Sequence, residues 1–341
     1  MSGRKNHHVP QLLQKGFGNE KKKSVQVWVY RKDKLPFPTS TANFGAERDF
    51  YIEGEDRLVD DLITEFEGEI GNFIQSMKSG DQQALEDRST IASILAHLEM
   101  RSKFLREEMM FVSNVLFEEL RLYLRKPQNM LRYLRSAAAN NPEVIQNGID
   151  ELGLNDEQRI LANAWVEANL DRFLEDNSTQ FMAKFQPFLG ILIDRLGEAV
   201  KGGHLKALRK DVREIGRRKA YLELSYRMVN FEEPGLILPD TMVSFLKRDG
   251  RVTPFLENTD TVEEIYLPLT SHKALHGYMR DPACRELNTV NRILASCAGQ
   301  SFVAQENDVK FRALTSRIGK NAQMISKAEL RKVIRTVIPV G

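Results

Sequence analysis

Ser24-Val25-Gln26-Val27-Trp28-Val29-Tyr30 sets three valines against Gln26, Trp28 and Tyr30 in strict alternation. Side chains two apart share a face only in an extended chain, so this stretch predicts a half-buried β-strand. A lone strand this short is not stable and needs partners. The next alternating segments lie far along the chain, at Tyr221 to Phe231, Leu236 to Leu238, Met242 to Leu246 and Glu264 to Leu267, with turn signals at Pro234-Gly235 and Asp249-Gly250. The expected fold is therefore α+β: one mixed sheet built from N- and C-terminal strands, with a large helical insertion packed on it.

The intervening sequence has helical periodicity. Behind an Asp56 cap, Leu58, Leu62, Phe66, Ile70, Phe73 and Met77 mark one apolar face. From Asp87 to Lys126 a second face runs through Ile91, Ile94, Leu95, Leu98, Leu105, Met109, Val112, Leu116 and Leu120. Helices are expected again at Pro142 to Gly148, Asn155 to Phe173, Thr179 to Val200 and from Leu205 onward, with a break at Gly202-Gly203. These segments divide the chain into an N-terminal block (1–105), a helical insertion (106–220), a strand-rich block that completes the sheet (221–304) and a basic helical tail (305–341).

No apolar run approaches the ~18 residues of a membrane helix; the longest is Phe188-Leu-Gly-Ile-Leu-Ile193. A soluble, cytoplasmic protein is expected. Cys284 and Cys297, the only two cysteines, argue against a disulfide framework or a thiolate metal site, and buried thiols are the simpler reading. The net charge of +2 hides a strong asymmetry: residues 1–35 carry +7, residues 306–341 carry +5 and the stretch between carries −10. Basic ends around an acidic body point either to contact with a polyanion or to docking of the ends onto the body. Lys206, Arg209, Lys210, Arg213 and Arg217 recur at helical spacing and form the candidate nucleic-acid-binding stripe, with a solvated face as the plain alternative.

The N-terminal segment Arg4-Lys5-Asn6-His7-His8-Val9-Pro10-Gln11-Leu12-Leu13 resembles the opening of a mostly prokaryotic domain-of-unknown-function family that begins with a basic residue and His-(His/Tyr)-Val-Pro-Gln. The likeness extends to Ala46-Glu47, Phe50-Tyr51, Asp240 and Val243, Leu267-Pro-Leu-Thr-Ser271 and Asn288, and it is weakest across the helical insertion. It implies no reaction. Pro10 favours an extended Val9 and a helix start, and in the extended lead-in His7 and His8 must point to opposite sides. Arg101 falls in line with the apolar face of its helix, where a cation needs an anion, either Glu67 or a substrate phosphate.

If the chain ends close one sheet, His7, Glu67, Arg101, Asp240 and Asn288 converge as a candidate catalytic set. His7 would then be the general acid or base, Arg101 the phosphate clamp, and Asp240 the group that orients the imidazole or binds a divalent metal ion, the one cofactor such a scheme admits. The expected function is a nuclease-like or other phosphoester hydrolase, an effector of the anti-phage-defence type. The alternative is a non-catalytic assembly module that binds nucleic acid or a partner protein, and no oligomeric state follows from the sequence. His272 and His276, read on a helix, make a weaker metal pair.

Overall fold

A computed structural model describes residues 5–21, 24–210, 218–257 and 261–337. The chain opens with β1 (Lys5–His7), α1 (Gln11–Gln14), β2 (Asn19–Lys21), β3 (Ser24–Arg31), β4 (Phe37–Ser40) and β5 (Ala46–Arg48). Helices follow: α2 (Leu58–Ser79), α3 (Gln82–Glu86), α4 (Arg88–Arg101), α5 (Lys103–Tyr123), α6 (Pro127–Asn140), α7 (Pro142–Asp150), α8 (Asp156–Leu208) and α9 (Arg218–Leu222). The chain then returns to strands in β6 (Ser225–Asn230), β7 (Leu238–Pro239), β8 (Ser244–Lys247), β9 (Val252–Thr253), β10 (Val262–Pro268) and β11 (Lys273–Tyr278). It closes with α10 (Leu287–Cys297), β12 (Ser301–Ala304), α11 (Val309–Leu314) and α12 (Lys327–Val337).

The α+β class holds, but the strands do not form one mixed sheet. Among the described residues there are three sheets, and their pairings are all antiparallel. β3 joins the C-terminal part of the chain through β12, with Trp28 to Arg31 opposite Ala304 to Ser301, and β12 in turn pairs with β7. β6, β11, β10, β8 and β9 make a separate five-stranded sheet, and β1 pairs with β5 alone. The separate sheet was hidden because β11 contains Gly277 and two polar residues and does not alternate cleanly. Its His276 therefore lies on a strand and not on a helix.

Two helical expectations also change. The long periodic stretch from Asp87 is interrupted at Ser102, whose extended backbone ends α4 and whose hydroxyl accepts from the Leu105 amide at the start of α5. Conversely, α8 runs unbroken through Gly202 and Gly203 and contains Pro187. Cys297 is buried as expected, whereas Cys284 is exposed.

The chain falls into two compact units, one of Met1–Glu108 with Val200–Met324, the other of Met109–Ala199 with Ile325–Gly341. The first holds every described strand and a large apolar core that includes Val27, Val29, Ile94, Leu98, Phe245, Leu267, Leu294 and Phe302. The second is helical, with Leu124, Met130 and Leu189 at its centre. Among the described residues, no helix is long and apolar enough to cross a membrane.

Candidate functional site

The His-His-Val-Pro segment is fastened at nearly every residue. β1 pairs Asn6 with Glu47 and His7 with Ala46. The buried Asn6 amide donates to Asp60 at 2.7 Å, and its carbonyl accepts from the Tyr51 amide at 3.2 Å. The buried Gln14 amide donates to the carbonyls of Val9 (2.7 Å) and Phe44 (3.0 Å), closing the Pro10 turn. Gly45 at φ +58° lets the chain pass Val9: an added Cβ would lie 2.5 Å from the Val9 Cβ.

His7 and His8 part company as an extended backbone requires. His7 lies on the side of Glu67 and Arg101, whose charges it feels. Burial pulls its ring below the ordinary histidine value, opposed by hydrogen bonding to the Ala42 carbonyl. Arg101 is the hub there, buried in the protein and donating to Glu67, to the His7 carbonyl and to the Tyr51 hydroxyl, with His97 Nε2 at 3.3 Å. All three nitrogens of the guanidinium are engaged. Glu67 is thus the anion that Arg101 requires, and the group has the geometry of a structural clasp.

His8 faces the other way. It is buried, tilts against Phe50 with ring centroids 5.5 Å apart, and lines a cavity of about 180 Å³ shared with Arg31, Asn43, Glu47, Lys103, Glu107, Asp240, Gln300 and Ser301. That volume has room for on the order of ten waters. Lys103 Nζ sits 2.8 Å from Glu47 and 3.6 Å from Glu107, and the Gln300 amide donates to both Glu107 oxygens at 2.8 and 3.0 Å. Burial pushes the Glu107 carboxyl up, with Lys103 opposing and the negative charge of Asp240 adding to the rise. Burial pulls Lys103 down, but the two glutamates outweigh it and hold the ammonium above its usual value. Burial and the nearby charge of Lys103 drive His8 down to about 3, so its ring is neutral at physiological pH.

Asp240 reaches this cavity without touching either histidine. Its oxygens accept from the amides of Gly299 (2.7 Å), Gln300 (2.8 Å) and Ser301 (2.8 Å), and from the Ser301 hydroxyl at 3.3 Å. It fixes the Gly299–Ser301 turn and does not orient the His7 ring as expected. Burial raises its carboxyl even against those donors. Asn288 lies elsewhere, exposed at the start of α10 and lining a different pocket. The structure thus groups His7 with Glu67 and Arg101, places Asp240 beside His8, and leaves Asn288 apart. The chain matches the sequence profile of the protein family of unknown function DUF4238 over residues 5–334. It belongs to that family. Neither the curated proteins nor the solved structures give a match.

Within this family member, Lys103, Glu107 and Gln300 were not singled out from the sequence, and Glu47 entered only as part of the family likeness. A signal existed: Lys103 and Glu107 are four apart at the start of α5, just past Ser102, a spacing that places them on one face. Gln300 carries no such mark. A divalent ion finds no ready seat, since among the described residues no group of three or more His, Cys, Asp or Glu is placed to hold one. His272 and His276 give no metal pair: His276 Nε2 lies 3.1 Å from Glu264, and its Nδ1 accepts from Arg227 at 3.3 Å. Because an arginine N–H can only donate, the proton of that ring is on Nε2. Of the basic stripe, Arg209 is paired with Asp56 and lies 3.8 Å from Glu53, whereas Lys206 and Lys210 are exposed. Arg213 and Arg217 lie outside the described residues.

Proposed function

We propose that this chain is a phosphoester hydrolase whose reaction takes place in the cavity bounded by His8, Lys103, Glu107 and Asp240. The observation that carries the reading is Glu107. A half-buried carboxyl with a raised pKa, held by Lys103 and Gln300 and facing a cavity that admits water, is placed to accept a proton from an attacking water. Lys103 and Arg31 supply the positive charge that non-bridging phosphate oxygens require, and neutral His8 offers a hydrogen bond without a competing charge. Two cations against Glu47, Glu107 and Asp240 leave the lining slightly acidic. That balance suits one phosphoester group better than a long polyanion, so within the hydrolase class it favours a small substrate over a nucleic-acid duplex.

The test is hydrolysis of p-nitrophenyl phosphate and bis-p-nitrophenyl phosphate by purified protein. Glu107→Gln keeps size and hydrogen bonding, so the melting temperature is expected to hold while turnover falls by roughly 10²–10⁴. In the wild type, kcat/KM should rise with pH through a pKa above the ordinary glutamate value, and Glu107→Gln should remove that limb. Full activity in a folded Glu107→Gln protein would overturn the assignment. A second reading, a non-catalytic assembly module, is favoured by the way Asn6, Gln14 and Arg101 are all consumed in holding the N-terminal segment. It would stand if neither substrate turned over.

A further inference from the structure

We infer that a second pocket, walled by α10 and α11 and floored at Gly235, binds a phosphate-bearing small molecule of nucleotide size. Its volume is about 380 Å³, within the range of ligand pockets. Arg292, Lys310 and Arg317 all line it, and no carboxylate does. Among the described residues, neither Arg292 nor Arg317 makes a side-chain hydrogen bond or an ion pair. Lys310 is shared with Glu306 at 3.3 Å and Asp308 at 3.6 Å. Three other arginines of this unit are tied down, Arg227 to Asp281, Arg248 to Glu263 and Arg285 to Glu264. Two arginines without a protein partner thus line one concavity, and the planar guanidinium fork matches a phosphate group.

The remaining walls suit the rest of such a ligand. Leu287 and Leu314 are half-buried and, with buried Phe311, offer apolar surface to a flat ring, while the exposed Asn288 amide can both donate and accept at a ring edge. The floor is open because residue 235 lacks a side chain: an added Cβ would stand 3.0 Å from Leu287 Cδ2 and 3.8 Å from Lys310 Nζ. Asn291 beneath it is already spent, donating to the Gly235 carbonyl at 2.7 Å and accepting from the Ile237 amide at 3.1 Å. The site gives the positive charge of the C-terminal segment a specific purpose, and it does so independently of the Glu107 cavity.

Calorimetric titration of the full chain with AMP, adenosine and a short single-stranded oligonucleotide tests the inference. AMP is expected to bind and adenosine to bind at least tenfold more weakly, because only the phosphate engages the arginines. Arg292→Ala with Arg317→Ala should weaken AMP roughly tenfold or more, since each lost 1.4 kcal/mol is a factor of ten. The matching double lysine variant, which keeps both charges, should recover part of that loss and guards against a folding defect. Glu107→Gln should bind AMP as the wild type does, whatever its hydrolytic activity. Equal affinity for AMP and adenosine, undiminished AMP binding in the double alanine variant, or binding of the oligonucleotide with none of AMP would each overturn the assignment.

Discussion

His97 and His204 share with His8 a single fate: all three are buried and all three are held below the ordinary histidine value, mainly by desolvation. His204 sits between the Arg106 guanidinium at 3.0 Å and the Met100 carbonyl at 2.7 Å, and its value falls to about 4. In the unfolded chain each ring binds a proton below about pH 6.5, while in the folded chain it stays neutral until far lower pH. Their contribution to stability is therefore complete above pH 6.5 and is lost as pH falls, toward about 3 for His8 and about 4 for His204. Each proton taken up only by the unfolded state lowers stability by about 1.4 kcal/mol per pH unit, so near pH 5 the three together give up to about 4 kcal/mol per unit. Chemical denaturation at pH 7, 6 and 5 measures the slope. His8→Phe should make it shallower by about one proton's worth, and an unchanged slope would contradict the placement of His8. Glu264 acts later on the same descent. Its carboxylate is held down to about 2 by His276, Arg285 and Tyr266 against the cost of burial, so its contribution is lost only below the ordinary glutamate range.

Among the elements, the short α1 turn shows how close packing fixes a motif that carries no reaction. Its following Gly16 lies so near the turn after β10 that an added Cβ would sit 2.2 Å from the Leu269 carbonyl oxygen, and the Gly16 carbonyl accepts from the Ser271 amide at 2.8 Å. Backbone against backbone cannot yield, so Gly16→Ala is expected to cost about 1–3 kcal/mol through forced displacement. Thermal melts of that variant beside Gly54→Ala check it, because Gly54 has nothing near its Cβ position and carries only the strain of φ +61°. β3 and the buried face of α4 were legible, since their periods of two and of three to four are written in valines, leucines and isoleucines, but the face of α2 was misplaced by about one residue: Val59, Ile63, Ile70, Ile74 and Met77 are buried, whereas the expected Leu58 and Leu62 are exposed. The Glu67–Arg101 pair was legible too, because a cation in an apolar stripe demands an anion. β11 was not, as burial on both sides and a glycine erase its alternation. Nor was the Glu107 cavity: Glu47, Lys103 and Gln300 meet only through tertiary folding, and nothing in local sequence announces such a meeting.

At the scale of the whole molecule, the two compact units are unequal in core. The strand-bearing unit buries dozens of apolar side chains, while the helical unit centres on Leu124, Met130 and Leu189, with Phe117, Leu120, Phe181 and Phe185 only partly covered. Stability follows apolar burial, so the helical unit is expected to melt first and calorimetry to resolve two transitions. Leu124→Ala, a large-to-small change costing about 2–5 kcal/mol, should lower the first transition and leave the second in place. One transition shifting as a whole would show that the units unfold as one.

The pairing of β3 with β12 also sets a timetable for synthesis. β3 ends at Arg31, and the strand that completes its sheet begins at Ser301. At about 5–20 residues per second, a ribosome needs on the order of 15–50 s to deliver that strand. Throughout that interval Trp28 and Val29 have β4 but not β12, Tyr30 has no strand partner, and the valine face has only part of its core. The N-terminal segment must therefore wait, exposed, for nearly the whole chain. Translation speed and chaperone supply should consequently govern the yield of this protein more than the stability of its finished fold.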